Sequence, residues 1–221
     1  MPNRAIASED RALLKRAIGL TGGIATGKSE AALYIARWGF TVVDADQVAR
    51  AVVAKGSAVL AQISREFGSE FLAADGTMDR SRMRSLIARD PSARQRLESL
   101  THPAIRQETL SLVRTQEWND AAADLHQRLW FYEASLLIEA GVHGDFAEIW
   151  LTNCTPKLQL ERLVGRDGMS PVDAKRLIGT QWPAARKAKY ATEIIDTNGD
   201  LAHVHAQIDE LLKRRGFHEI P

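Results

Sequence analysis

Apolar positions along the chain fall into two rhythms. Residues 17–21 (AIGLT) form a short run that leads into a glycine-rich turn, which reads as a buried strand ending in a tight loop. Residues 28–38 then place Ala32, Leu33, Ile35 and Ala36 at helical spacing, and Gly39 stands where a helix stop belongs. Residues 40–43 (FTVV) read as a second buried strand that ends in Asp44-Ala45-Asp46. Strand, turn, helix and strand make a βαβ unit, so the pattern predicts a parallel sheet.

From residue 47 to about 115 the helical rhythm dominates. Helices are expected at 57–67 (Leu60, Ile63 and Phe67 in phase), at 79–89 (Met83, Leu86, Ile87) and at 92–118, the last interrupted by Pro103. No confident strand is visible there, so the segment reads as a helical insertion. Strand signals return at 129–132 (LWFY), 148–152 (EIWLT) and 193–195. Thr155-Pro156 and Ser170-Pro171-Val172-Asp173 each offer an N-cap with proline at the first helical position. A final helix over 201–215 carries Leu201, Val204, Ile208, Leu211 and Leu212 on one side.

Composition narrows the class. The chain has 221 residues, 45% of them hydrophobic and 26% charged, and a formal charge of +1. A soluble globular protein is expected, with no whole-chain basis for nucleic-acid or membrane binding. The oligomeric state is left open. No apolar run approaches the ~18 residues of a membrane span. Residues 1–16 lack the apolar stretch of a secretory signal, and Glu9 and Asp10 argue against a mitochondrial presequence. They are expected to be a frayed extension that becomes ordered near Leu13, in a cytoplasmic protein. The single cysteine, Cys154, excludes an intramolecular disulfide and is expected to be a buried, inert thiol.

The segment Gly22-Gly23-Ile24-Ala25-Thr26-Gly27-Lys28-Ser29 fits G-x-x-x-x-G-K-[ST] in full. A polyphosphate needs many donors at close range. Glycines let backbone N–H groups turn inward, and the following helix N-terminus adds a favourable dipole. In such a loop Lys28 reaches the β- and γ-phosphates, and the Ser29 hydroxyl can ligate Mg²⁺.

Asp44 and Asp46 follow the second strand. A spacing of two puts both side chains on one face of an extended chain, toward the γ-phosphate region. One acid would support the hydrated Mg²⁺, and the other would orient an acceptor hydroxyl and take its proton. Alternatively they cap the helix from Gln47 onward. Glu133, after LWFY, is either a second metal-supporting acid or a solvent-exposed loop acid.

At this point the ordered segments GLTGGIATGKS, VVDADQVAR, LTHPAIR, EASLLIEAG and QLERLVGRDG resemble those of the dephospho-coenzyme A kinase family, over residues 17–215. The resemblance implies a P-loop NTPase fold of class α/β, a parallel sheet core flanked by helices, with a helical substrate-binding insertion and a helical lid. It implies a nucleotide-binding core at 17–46, 119–156 and 191–221, a coenzyme-A-binding insertion at 47–118 and a lid at 157–190. The implied reaction moves the γ-phosphate of ATP, with Mg²⁺, to the ribose 3′-hydroxyl of dephospho-coenzyme A. By position, Asp46 resembles the catalytic base and Asp44 its metal-side partner, with Ser29 and Glu133 also near the metal. Arg50, His102 and Arg106, together with Asp46, match the acceptor side. Residues 22–30, Arg162 and Arg166 match the nucleotide side, and Lys28 and Arg166 are implied to act in catalysis. Read from the residues alone, His102 also suits a turn histidine and Arg50 a solvated helix position.

Residues 157–190 hold eight basic and three acidic residues, a local excess in a nearly neutral chain. Such a segment suits either a lid closing on anions or a solvated helix pair. Several positions depart from the family pattern. Ala25-Thr26 stands for Gly-Ser, which is expected to be tolerable if the backbone there avoids positive φ. Glu30 replaces a hydroxyl residue that helps hold the α-phosphate, leaving only its N–H. Ser135 replaces a proline, and Thr192 and Thr197 replace Asp and Asn. These changes bear on nucleotide affinity and selectivity more than on reaction type. Two alternatives remain at this stage: another P-loop small-molecule kinase acting on a nucleoside, nucleotide or shikimate, or a regulatory NTPase switch. For the latter, no N-K-x-D guanine-reading segment is present.

Overall fold

The strand β1 (Ala17–Gly22) lies at the centre of a five-stranded sheet in the computed structural model, which describes residues 8–115 and 129–218. The other strands are β2 (Thr41–Asp44), β3 (Trp130–Glu133), β4 (Glu148–Asn153) and β5 (Glu193–Asp196), in the order β2-β3-β1-β4-β5. The β1–β3, β1–β4 and β4–β5 pairings are parallel. Every residue of β1 is buried, as a strand covered on both faces requires. The helices in chain order are α1 (Ser8–Leu14), α2 (Lys28–Arg37), α3 (Ala45–Val52), α4 (Ala58–Phe67), α5 (Arg80–Arg89), α6 (Pro91–Thr115), α7 (Pro156–Asp167), α8 (Pro171–Ile178), α9 (Ala184–Lys187) and α10 (Leu201–Lys213). None of them is long and apolar enough to cross a membrane.

The described residues divide into two compact units, one of them Asp44–Thr115 and the other holding the rest. In the sheet-bearing unit, Ile18, Leu20, Phe131, Trp150 and Ile195 from the strands pack with Ile35 and Trp38 of the α2 segment and with Val204, Ile208 and Leu212 of α10. The Asp44–Thr115 unit is helical, as expected; an isolated bridge between Leu72 and Met78 is its one β pairing. Its core gathers Val53, Ile63 and Met83, with Phe67, Leu86, Ile87, Leu97 and Leu100 against them.

Several expectations need correction. The buried stripe of α2 is Ala31, Ala32 and Ile35, continuing to Trp38, while Leu33 is 59% exposed on the opposite side. Leu201 also faces outward, at 53% exposure in the first turn of α10. The chain is helical from Ser8, well before Leu13. That turn is tied down because the Trp130 indole N–H donates to the Leu13 carbonyl (3.0 Å) and Leu14 is buried. Residues 1–7, the start of the expected extension, lie outside the described residues, as do Trp118, where the long helix was expected to end, and the core boundary at 119.

Pro103 does not interrupt α6, which runs through it. A proline removes the N–H that would bond the carbonyl four residues back. That carbonyl belongs to Ser99, which is exposed, so water can serve it. Both predicted Pro-start helices are confirmed, with Thr155 Oγ1 accepting from the Leu158 N–H and Ser170 Oγ from the Asp173 N–H. Cys154 is buried, and that burial raises its thiol pKa, as an inert thiol requires.

Candidate active site

Residues Gly22 to Ser29 join β1 to α2 as the motif requires. Gly22 is fixed by space. A Cβ there would lie 2.1 Å from Thr152 Oγ1 and 2.5 Å from Thr26 Oγ1. Gly27 is fixed by conformation, since it occupies the N-cap of α2 at φ 81°, and no side chain caps the helix there. The first amides of α2 therefore have no partner within the helix or from a cap, the arrangement that receives a phosphate.

Threonines support the loop from below. Thr26 Oγ1 donates to the Gly23 carbonyl (2.7 Å) and lies 2.9 Å from Thr152 Oγ1. The Thr197 hydroxyl donates to the Thr26 carbonyl (2.8 Å). All three are buried, so these bonds are not exchanged for water. Thr197, one of the departures from the family pattern, thus carries a contact through its hydroxyl. The Arg162 guanidinium holds the same corner, donating to the Thr197 carbonyl at 2.7 Å and its hydroxyl at 3.4 Å.

The functional side chains of the loop converge on one acid. Glu133 Oε1 accepts from the Lys28 ammonium and from the Ser29 hydroxyl (3.0 Å). The Lys28 and Glu133 side chains are 11% and 9% exposed. Glu133 is therefore the buried end of β3, and the reading of a solvent-exposed loop acid is corrected. A hydroxyl and a carboxylate side by side form a hard-oxygen donor set of the kind Mg²⁺ accepts, the rest of its shell coming from phosphates and water. Among the described residues no group of three or more His, Cys, Asp or Glu side chains could hold a metal ion by itself.

Ala25 does not meet the condition set for it, because its φ is +59°, the left-handed region that an L-residue enters at a cost. Ile24 meets two glutamines that sequence reasoning missed: its N–H donates to Gln181 Oε1 (2.7 Å), and its carbonyl accepts from Gln159 Nε2 (2.8 Å). Also missed was a buried ion pair behind β3. Lys187 is 1% exposed and donates to Glu139 Oε1 and to the Ser135 carbonyl, both at 2.8 Å. Glu139 Oε1 accepts from the Trp182 N–H as well (3.1 Å). Position 135 contributes its carbonyl, which a proline also possesses, so the serine departure leaves this contact intact. Nothing in the apolar rhythm distinguishes Lys187 from the other lysines of its basic segment.

Arg166 is exposed and makes a two-point contact with Asp167 (2.7 and 2.9 Å). That hydrogen bonding raises the guanidinium pKa and lowers that of the carboxyl. Glu30 is exposed in the first turn of α2.

The remaining predicted residues belong to the Asp44–Thr115 unit. Asp44 ends β2 and caps α3. Its Oδ1 accepts from the Asp46 and Gln47 N–H groups (2.8 and 3.2 Å), and its Oδ2 from Gln47 Nε2 (3.0 Å). The expected extended geometry from 44 to 46 is therefore wrong. The helix begins at Ala45, because the capping bonds of Asp44 turn the chain at once. Asp46 lies exposed in the first helical turn, Arg50 exposed in the last turn of α3, and His102 exposed and Arg106 half-buried along α6.

Known proteins are similar to this chain in sequence and fold. Residues 16–203 match the profile of a family described as dephospho-CoA kinase. A dephospho-CoA kinase of Gloeobacter violaceus is 39% identical over 202 residues, covering 91% of this chain and 94% of that protein. Another, of Geobacter metallireducens, is 38% identical over 198 residues, covering 90% and 96%. A solved Thermus thermophilus structure superposes with TM-score 0.75 at 26% identity, covering 90% of this chain and 96% of that one. A solved dephospho-CoA kinase from Campylobacter jejuni gives 0.63 at 23% identity, covering 90% and 96%, and supports the fold.

Proposed function

The chain belongs to the dephospho-CoA kinase family, and on that premise we propose how its residues divide the work of phosphorylating dephospho-CoA with ATP. The reaction transfers the γ-phosphate to the acceptor's ribose 3′-hydroxyl, in coenzyme A biosynthesis. The observation that carries the assignment is the joint hold of one buried carboxylate, Glu133, on both the lysine and the serine of the phosphate loop.

Backbone amides of the loop at the start of α2, which have no partner within the helix or from a cap, receive the phosphates, and Lys28 moves from Glu133 to the β- and γ-phosphates as they enter. Ser29 and Glu133 would hold Mg²⁺, with Asp44 on the metal side. When bound, Mg²⁺ neutralises charge on the phosphate oxygens. Asp46 orients the 3′-hydroxyl and takes its proton, since its carboxylate is exposed in the first turn of α3, where an acceptor hydroxyl can reach it. Arg50, His102 and Arg106 bind the acceptor. Arg162 and Arg166 stabilise negative charge on the transferred group, with Arg166 giving up Asp167 to do so. Residues 157–190 act as the lid, and the protein works in the cytoplasm.

A coupled ADP-release assay with ATP, Mg²⁺ and a panel of acceptors tests this reading, with products identified by mass. Dephospho-CoA is expected to be the preferred acceptor. Phosphorylation of a nucleoside monophosphate or shikimate in its place would overturn it.

A further inference from the structure

The phosphate loop of this chain contains a residue in the wrong conformation for its type. Ala25 sits at φ +59°, where its Cβ crowds the backbone, and no other non-glycine residue among those described has a positive φ. Left to itself, such a loop spends part of its time in other conformations. The apparent affinity of a ligand falls with the fraction of protein that is competent to bind it.

The two peptide groups just before Ala25 are held from outside. The first carries the Ile24 N–H, which donates to Gln181 Oε1 (2.7 Å). The second carries the Ile24 carbonyl, which accepts from Gln159 Nε2 (2.8 Å). This second peptide ends at the Ala25 nitrogen, so fixing its plane sets one side of the Ala25 φ, while the Thr26 N–H, which donates to the Gly23 carbonyl (3.2 Å), holds the other. Gly23 makes room for Gln159, since a Cβ there would lie 2.8 Å from Gln159 Nε2. Gln181 is itself held in place, because the next residue, Trp182, donates its N–H to Glu139, and Glu139 is paired with buried Lys187.

We propose that Gln159 and Gln181 are positioning residues that brace the Ile24 peptides, and that this chain depends on them because Ala25 stands at a positive φ. They touch the loop rather than the reacting atoms, and their effect is on how much of the protein is ready to bind ATP. The proposal rests on the reading of residues 22–29 as the ATP phosphate site.

Equilibrium binding of ATP with Mg²⁺ by calorimetry tests it, using Gln159→Met, Gln181→Met and the double variant. Methionine keeps the length of the side chain and removes its amide. Each single change is expected to weaken ATP binding roughly fivefold, as for one lost hydrogen bond. The double variant should lose tenfold or more by the same arithmetic. In turnover assays the loss falls mainly on KM for ATP rather than on kcat, because the brace acts equally on ground and transition states. Ala25→Gly placed in the double variant recovers most of the lost affinity, since glycine enters the left-handed region freely. A merely structural pair of glutamines offers no reason for that rescue.

Unchanged or tighter ATP binding in the double variant overturns the proposal, as does failure of Ala25→Gly to restore it. Thermal unfolding is followed in parallel. Should the methionine variants unfold, hydrogen exchange at the Ile24 amide of the unaltered protein decides. Protection supports the brace, and exchange at the rate of a free amide overturns it. The binding arm needs no acceptor. A failure with dephospho-CoA therefore strikes the reaction alone, whereas an unaltered protein that does not bind ATP overturns both.

Discussion

The ammonium of Lys28 is ion-paired with the carboxylate of Glu133, and both side chains are almost enclosed. Before any nucleotide arrives, the loop lysine is neutralised by an acid from the neighbouring strand, and that acid also holds Ser29. The residue that prepares the loop is thus the one proposed to support the metal. Glu133→Gln keeps the shape and removes the charge. Turnover is expected to fall by roughly 10² or more, the scale of losing one preorganised electrostatic group. The Mg²⁺ concentration for half-maximal rate should rise. An ADP-release assay titrated with Mg²⁺ reads both, and an unchanged Mg²⁺ profile would remove Glu133 from the metal site.

Asp46→Asn separates binding from chemistry. The amide can still accept a hydrogen bond from the acceptor hydroxyl but cannot take its proton. ATP affinity should stay near that of the unaltered protein while turnover drops by roughly 10² or more. Near-normal turnover would remove the base assignment.

The buried pair Lys187–Glu139 makes a prediction about stability. Lys187→Met leaves Glu139 enclosed without its partner, at a cost of about 3–5 kcal/mol. Replacing both, as Lys187→Met with Glu139→Leu, should cost clearly less, because no charge is then stranded. Urea unfolding of the three proteins gives the comparison. Equal losses in the single and double variants would show that packing, not charge, sets the penalty.

Acid stability turns on Glu148. Burial alone would raise its pKa, but hydrogen bonds from Arg215 and the Trp150 indole, aided by the charges of Arg215 and Arg214, bring it below the ordinary carboxylate value. A folded pKa below the unfolded one gives stability that is fully present above the unfolded value and is lost as pH falls through the folded value. Glu148→Gln should therefore destabilise the protein at neutral pH, on the order of 1 kcal/mol for a partly exposed pair. The gap should close as the pH falls from neutral through the lowered pKa of Glu148 in the folded protein, where the carboxyl becomes protonated. Urea midpoints across that range test the sign.

Local chemistry was readable wherever it was repeated or punctuated. The phosphate loop was legible because Gly22, Gly27, Lys28 and Ser29 each have their own reason at a fixed spacing. Thr155, Ser170 and the prolines after them announced two helices correctly. Errors arose where a single residue admits two local solutions. Asp44 could continue a strand or cap a helix, and the choice depends on which N–H groups follow it in space. Pro103 breaks a helix only where the orphaned carbonyl lacks water. Gln159 and Gln181, 22 residues apart, become partners only through the fold, and neither amide carries a charge or spacing that marks it. Lys187 was counted as one of eight basic residues, yet its role is set by burial, which no composition reveals.

The indole of Trp130 and the carbonyl of Leu13 tie α1 to the strand that bears Glu133. The family-matched stretch begins at residue 16, after this helix. Cutting the protein back to the shared boundary is accordingly not a silent edit. It would strip an acceptor from an enclosed indole at one end of a four-residue strand whose other end is the acid of the phosphate site. Anyone shortening the N-terminus for crystals or for fusion should stop ahead of Ser8.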